Sequence, residues 1–591
     1  MAETTFIQTP EDASEALRAF QTAAMAGNGD LAYDTETTGL NVRSGLQDYG
    51  RTVQFSWRPW NRAVVFEMTE QWRPWIEGFF LAASDLVAHN AKFDAHVMTT
   101  YGIPVMERFL PFQLHDTAVL SRLFDERERP RLKELSVTYL RSDAADEQTK
   151  LKRLMTKHSW TWATVPVEHL VQYGGDDAAL TGQLFDHFRG RIPYAEGAYR
   201  REQALLPVLF RMERNGLGVD RGLLDAVLKE EEDLSEAAAE VIGRLAPGVN
   251  LNSPKQLLEA FKARGVELSD TTAPTLLATD DDLARAIVTF RTHSKRLNTY
   301  ARPWLDFITS AGRIHPSLNQ MGTVTGRFSS DLPNFQNIPK GHGLRKCIVA
   351  APGYQMVVAD WNQMELRLYA HFANDEAMRS VFLSGGDIYQ QVADLLGLSR
   401  QVGKMVMLAS IYGAGPSRLA SQVVAMAWKY GMGDLVPELQ SLDWKGVHAR
   451  FHAGYAIKDL ARACENAAKA RGQIGEAYIT TLGGRRQRPK KVLLPAMKSG
   501  FRPSTLVFKD LANSLVQGSS SDLMKESLLA ADAAGLGDYL RLTVHDEMVA
   551  EVPEAEVPEV SEAIRRIMTR PEFVPPLTAE VSVAATYGDA K

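Results

Sequence analysis

The chain of 591 residues is 45% apolar and 23% charged, proportions of an ordinary globular protein at a length that calls for two to four folding units. Its formal charge of −6 gives no overall attraction to a polyanion, so any nucleic-acid surface has to come from local clusters of Lys and Arg. Two cysteines, Cys347 and Cys464, exclude a disulfide framework, and without an apolar or Arg-rich leader or a run of ~20 apolar residues the expectation is a soluble, cytoplasmic chain with no membrane partner.

From residue 31 to about 188, short β-like runs (31–33, 63–66 and 86–88) alternate with amphipathic stretches, which predicts a compact α/β unit. A boundary near residue 190 is marked by Pro193. It precedes a long amphipathic helix, RREQALLPVLFRMERNG, that Gly216 is placed to stop. Between Leu224 and Thr309 the Ala-, Leu- and charge-rich pattern predicts two or more long helices. Turn-rich segments return from Ile314, helices dominate from about 375 to 480, and LRLTVHDEMVAEV (540–552) alternates on both sides of a polar pair, as in a β-hairpin.

In LAYDTETTGL a β-like run ends in Asp34 and Glu36, and the period of two puts both carboxylates on one face. In LVAHNAKFDAHVM a strand leads into a helix whose Asn90 and Asp94 are four apart, and in HLVQYGGDDAALTGQLF Tyr173 and Asp177 stand one turn apart. That spacing favours Asp177 over Asp176. Singly these are strand ends, caps or surface residues. Together, four carboxylates and a tyrosine are what a two-metal phosphodiester hydrolase needs: hard oxygen ligands for Mg²⁺ or Mn²⁺, and a hydroxyl to orient water. Their order and spacing resemble the tyrosine-bearing DEDD 3′–5′ exonucleases, with an RNase H-like mixed sheet and helices. The resemblance implies that Asp34, Glu36, Asp94 and Asp177 hold two metals, Tyr173 positions the water, Leu40 wedges beside the terminal base and Asn90 lies near the single-stranded 3′ end. The Gly174-Gly175 pair departs from the family, which has better helix formers there.

In YQMVVADWNQMELRLYAHFAND an apolar strand ends at Asp360, and a helical pattern then carries Glu365 inward with Leu366 and Leu368. Asp546 and Glu547 occupy the tip of the predicted hairpin. In-line nucleotidyl transfer needs two aspartates from different strands around two Mg²⁺ ions, although spacing alone cannot bring Asp360 to Asp546. In RQVGKMVMLASIYGAG (400–415), Arg400, Lys404, Leu408 and Tyr412 recur every four positions. On a helix they form one stripe with two cations suited to a triphosphate and an aromatic suited to a base. An ordinary amphipathic helix with a basic rim has the same pattern.

These segments, with RMERNG (211–216), NLNSPKQL (250–257), TGRFSSDLPNFQNIP (325–339), TLGGRR (481–486) and Asn513/Gln517-Gly518, resemble the family A DNA polymerases from about residue 200 onward. The resemblance implies an exonuclease domain (1–190) followed by an α+β right hand: palm 191–228, 314–375 and 501–591, thumb 229–313, fingers 376–500. It further implies that Asp360 and Asp546 are metal ligands with Glu547 in support. Arg400 and Lys404 would hold the triphosphate of the dNTP, Tyr412 would stack near the nascent pair, and Leu408 would line the sugar pocket where the family carries Phe or Tyr. Glu365 would exclude a ribose 2′-OH. Arg327 and Gln517 would read minor-groove acceptors, and Lys509, Asn513 and His545 would contact primer–template DNA. The basic run 485–491 would clamp phosphates or form a solvated loop. The expected protein is a monomer acting on primer–template DNA and dNTPs with two Mg²⁺ per centre. The short stretch before Asp34 leaves no room for a 5′ nuclease, a phage replicative layout that implies host cytoplasm and replisome partners not identified by sequence. Two other readings compete. Glu365 and the exonuclease motifs oppose a single-subunit RNA polymerase, and the joint presence of Asp360, Arg400, Lys404, Tyr412 and Asp546 opposes a nuclease or DNA-binding factor with an inactive hand.

Overall fold

A computed structural model describes residues 2–140, 143–277, 279, 281–339, 343–471, 477–493, 504–508 and 510–591. Six strands of the first 120 residues, β1 (Glu3–Phe6), β2 (Asp30–Thr37), β3 (Gly50–Trp57), β4 (Arg62–Glu67), β5 (Asp85–Ala88) and β6 (Leu114–Asp116), form one mixed sheet in the order β1-β4-β3-β2-β5-β6. β2 runs parallel to β5, and β3 is antiparallel to both its neighbours. The three apolar runs in the sequence are β2, β4 and β5. β3 is less conspicuous because Thr52, Gln54 and Ser56 are buried polar residues on it. They are satisfied locally: Ser56 donates to the Arg62 carbonyl at 2.7 Å, Thr52 to Gln54 Oε1 at 3.1 Å, and Gln54 to Asp34 Oδ2 at 2.7 Å.

Helices α1 (Pro10–Met25) and α2 (Arg73–Ala82) bury Phe20, Phe79 and Phe80 against Phe55 and Phe66, with the Phe55 and Phe79 rings stacked at 4.7 Å. α3 (Ala91–Thr100) and α4 (Thr117–Phe124) follow β5 and β6, and α5 (Glu168–Arg189) lies across β2, β3 and β4. The Gly174-Gly175 pair makes that packing possible. A Cβ on Gly174 would stand 2.7 Å from Gln54 Nε2, and one on Gly175 would stand 2.5 Å from the Thr4 side chain. Poor helix propensity is accepted there in return for a close helix–sheet approach.

α6 (Glu196–Asn215) is the long helix read from the sequence, and Gly216 ends it at φ +59°, where a Cβ would meet the Ile314 carbonyl at 2.7 Å. α6 serves two cores. Leu206 and Phe210 pack into the first, whereas Leu205, Val208, Leu209 and Met212 pack into the second. Beyond it come β7 (Leu217–Val219), the paired long helices α7 (Arg221–Leu245) and α8 (Asp282–Arg296), and four short strands: β8 (Arg313–Ile314), β9 (Ser317–Asn319), β10 (Ser329–Asp331) and β11 (Ile348–Val349). The second main sheet is antiparallel, in the order β13-β14-β12-β15, from β12 (Tyr354–Trp361), the predicted hairpin β13 (Leu540–Val544) and β14 (Glu547–Pro553), and β15 (Ala579–Ala584). Around it stand α9 (Met364–Phe372), α10 (Ile388–Leu396), α11 (Arg400–Ile411), α12 (Leu511–Ala533) and α13 (Val557–Met568). No described helix is long and apolar enough to cross a membrane.

His96 on α3 is fully buried, stacks on Phe210 at 4.3 Å and donates through Nε2 to Glu213 at 2.7 Å. Burial lowers its pKa to about 4, against the pull of Glu213, and burial with the nearby Lys458 charge lowers His452 to about 4 as well. Both are neutral in the fold and protonate near 6.5 once unfolded. Stability is therefore lost as pH falls from about 6.5 toward 4. Between about pH 7 and pH 5 the wild-type thermal midpoint is expected to fall relative to that of His96→Gln, whatever the buried carboxyls contribute to both; the same pH dependence in the two proteins would contradict this assignment.

Candidate active sites

At the end of β2, Asp34 and Glu36 meet Asp177 of α5, with one carboxylate oxygen from each lying within 4.8 Å of the others. α5 turns Asp177 into this cluster and Asp176 away from it, to accept from the Ala2 N–H at 2.7 Å. Asp94 lies beside the cluster without joining it: its Oδ1 accepts from the Thr35 N–H at 3.1 Å and the Thr35 hydroxyl at 2.7 Å. The sequence placed Asn90 on the same helical face as Asp94. Instead, Asn90 caps α3 in a left-handed conformation, φ 72°. Its N–H and that of Ala91 donate to Asp116 at 3.1 and 2.9 Å, and Asp116 also caps α4 through Ala118. The sequence reading missed Asp116, although an Asp-Thr pair before an apolar helix is an N-cap signature. Leu40, on the loop after β2, is an exposed apolar side chain.

Lys133 was also missed. Its ammonium pairs with Asp177 and lies 4.3 Å from the centre of the Tyr173 ring. Burial raises Asp34 to about 6, and burial followed by the Asp34 charge raises Glu36 and Asp94 well above the usual carboxylate range. Crowded, desolvated carboxylates with one ammonium among them form a donor set that fits a hard divalent cation.

In the second sheet, the register of β12 on β14 sets Asp360 opposite Glu547, and the Trp361 N–H donates to the Asp546 carbonyl at 3.3 Å. The sheet thus brings Asp360 to Asp546 and Glu547, which are adjacent to each other and remote from it in sequence. Glu547 is not at the hairpin tip: it begins β14, buried, and accepts from the Tyr587 hydroxyl at 2.6 Å. The tip is His545-Asp546, with His545 at φ 57°. Gln336 pins it by donating to the Thr543 carbonyl and accepting from the His545 N–H at 3.4 Å. Lys591 pairs with Asp360 and lies 3.0 Å from Glu547. Nothing in the sequence pattern singles out Tyr587 or Lys591.

Glu365, in the first turn of α9, accepts from the Tyr412 hydroxyl at 2.7 Å and pairs with Arg327, so three separate segments meet at one carboxylate. Arg400 and Lys404 lie on α11, as the spacing requires. Both stand over the Tyr389 ring of α10, at 5.8 and 5.6 Å from its centre, and Arg400 bonds Asp387 at 2.5 Å. Asn513 and Gln517 lie half-buried on α12, and Asn513 Oδ1 is buried with no hydrogen-bond partner among the described residues. Lys509 lies outside the described residues.

The basic run is not a phosphate clamp along its length. Arg485 is buried on Asp522 at 2.7 Å, Arg486 sits between the Tyr194 and Tyr478 rings, and Arg488 pairs with Glu126 of the first unit. Acids from other segments hold Arg485 and Arg488 and two rings hold Arg486, while Lys490 and Lys491 are exposed.

Residues 223–589 match the family described as DNA polymerase family A, and residues 4–193 the family described as 3′-5′ exonuclease. The chain belongs to DNA polymerase family A. It is 31% identical to the DNA polymerase I of Chloroflexus aurantiacus over 85% of its own length but only 54% of that protein's. To the DNA polymerase of Mycobacterium phage L5 it is 28% identical, over 95% of this chain and 92% of the phage protein. The POL domain of Pol1 from M. smegmatis, solved in complex with DNA primer-template and dNTP, shares the fold: TM-score 0.72 over 99% of both chains at 21% identity. This family A chain is therefore a mixed α/β exonuclease-like domain followed by a larger, helical polymerase domain.

Leu408 lies on α11 one turn from Lys404 and one from Tyr412, half-buried against the polymerase core. An aliphatic there leaves a different surface from an aromatic ring. Leu408→Tyr or Leu408→Phe is expected to change the ratio of dideoxy to deoxy incorporation in single-nucleotide extension; identical ratios would contradict the expectation that Leu408 lines a sugar pocket.

Proposed function

We propose that this chain is a template-directed DNA polymerase that extends a primer 3′ end with dNTPs and removes mispaired 3′ ends at its own nuclease centre. The observation that carries the reading is the β12–β14 register, which sets Asp360 opposite Glu547 and beside Asp546 at one end of the two central strands. Asp360 and Asp546 are the residues that would hold two Mg²⁺ ions, whose chemistry is to acidify a 3′-hydroxyl and neutralise phosphate charge. The chain's own residues do the rest. Arg400, paired with Asp387, and Lys404, which like Arg400 stands over the Tyr389 ring, bind the triphosphate. Glu365, held by Arg327 and Tyr412, stands at the sugar and excludes a 2′-OH, while Tyr412 stacks near the nascent pair. Arg327 and Gln517 read the minor-groove acceptors common to all correct pairs, and Asn513, His545 and Lys509 contact primer–template.

At the nuclease centre Asp34, Glu36, Asp94 and Asp177 are the residues that would hold divalent cations. Burial and the Glu36 and Asp34 charges raise the Tyr173 pKa, so its hydroxyl stays protonated and can orient the attacking water. Leu40 wedges against the terminal base, and Asn90 lies near the frayed strand. In this reading the hand divides into palm 191–228, 314–375 and 501–591, thumb 229–313 and fingers 376–500, with the nuclease at 1–190. The coverage of the phage L5 polymerase supports a phage replicative enzyme, and the reading takes it to act as a monomer.

Primer extension with Mg²⁺ tests the reading. Asp360→Ala is expected to lower extension on the order of a thousandfold while sparing 3′ degradation, and Asp34→Ala to do the reverse. Loss of both activities in either variant would contradict two separate centres.

A further inference from the structure

Helix α3 works on two faces. Asp94 turns toward β2, where it bonds Thr35, and Asn90 caps the helix on Asp116. Lys92 and His96 are each offset from Asp94 by two positions, roughly 200° around a helix, and point the other way. There they meet Glu213, which comes from α6, beyond the 4–193 segment that matches the exonuclease family. Lys92 Nζ donates to Glu213 Oε1 at 2.5 Å and to the Leu318 carbonyl at 2.8 Å, and His96 Nε2 donates to Glu213 Oε2 at 2.7 Å. The Leu318 N–H closes the network on Glu213 Oε1 at 2.7 Å. The side chains of Lys92, His96 and Glu213 are 8%, 0% and 1% exposed.

A helix as short as α3 has little stability of its own, and its rotation about its axis is set by what its side chains hold. On one side the holder is Thr35, a residue of the nuclease sheet. On the other it is Glu213 of α6, with the Phe210 ring stacked on His96, and Glu213 also grips β9, the partner of β10 just after Arg327. We propose that Glu213 is a positioning residue for the nuclease centre: through Lys92 and His96 it fixes the rotation of α3, and so the placement of Asp94 beside Asp34 and Glu36. The inference rests on the nuclease reading of those acids. It makes the nuclease centre incomplete without α6, although every acid in it lies before residue 190.

The test uses the full chain with two variants, Glu213→Gln and the double variant Lys92→Met/Glu213→Gln. The single variant leaves Lys92 a buried ammonium without its carboxylate, and the double variant removes both charges, so the core is relieved while the Lys92 hold on α3 is still lost and His96 keeps only a neutral amide. Four quantities are read: kcat and KM for degradation of a short single-stranded oligonucleotide, primer extension, the melting midpoint, and Mn²⁺ binding without DNA. The Mn²⁺ component of interest is the one that Asp34→Ala abolishes. In both variants nuclease kcat and that Mn²⁺ affinity are expected to fall about tenfold or more, with KM and primer extension changed less than about threefold. The double variant should melt close to the wild type. Wild-type nuclease kinetics and Mn²⁺ binding in both variants would overturn the proposal, as would a parallel loss of nuclease and polymerase activity with a lowered midpoint in the double variant. A wild-type chain that extends primers but degrades no 3′ ends overturns the nuclease reading itself, and this inference with it.

Discussion

Carboxylates crowded into a desolvated space repel one another unless cations intervene, and both centres of this chain are built around that repulsion. In the first, Asp34, Glu36 and Asp177 converge with Lys133 on one of them. In the second, Asp360 and Glu547 face each other across a strand pair with Lys591 between them. Arg345 also stands 3.8 Å from Glu547, and Asp546 lies beside this pair, yet among the described residues the carboxylates of each group outnumber the cations paired with them. The fold therefore has to hold the acids together by other means, and it does so with strand register, N-caps and buried partners such as Gln54, Thr35 and Tyr587. At the first centre one oxygen from each of Asp34, Glu36 and Asp177 already lies within 4.8 Å of the others.

The same logic of buried charge joins the two halves. α6 contributes apolar residues to both cores and also carries acids that reach outward: Glu213 to Lys92, and Glu202 to Lys525 of α12 at 2.6 Å. Arg201 and Arg485 share Asp522, and Arg488 reaches Glu126. Removing one member of such a pair leaves its partner's charge buried and uncompensated, so these contacts fix relative position more strongly than surface pairs would. The polymerase and nuclease parts share a frame.

Much of this was legible in the sequence wherever a residue's role depends on its immediate neighbours. β2, β4 and β5 showed as apolar runs, Gly216 as a helix stop, and Asp360 as the last polar residue of an apolar strand. Asp177 was distinguished from Asp176 by its spacing from Tyr173, because α5 is a regular helix through both. Legibility failed where the partner is remote. Lys133, Gln336, Tyr587 and Lys591 are single polar residues with no periodicity, and each acts on a segment distant in the chain. Asn90 was misplaced because the four-residue rule assumes that the helix has already begun, whereas its left-handed backbone precedes the first turn. The basic run looked like a DNA surface because its cations were visible and the acids that neutralise them, Asp522 and Glu126, were not adjacent.

The proposed function requires one chain both to add and to remove nucleotides at a primer end, at two acid centres on one frame. It is tested most directly by idling turnover: conversion of a single dNTP to dNMP on a primer–template whose next template base calls only for that nucleotide. The account predicts continuous release of dNMP, with the primer cycling between two adjacent lengths. Extension by one nucleotide with no dNMP released over many turnover times would contradict it.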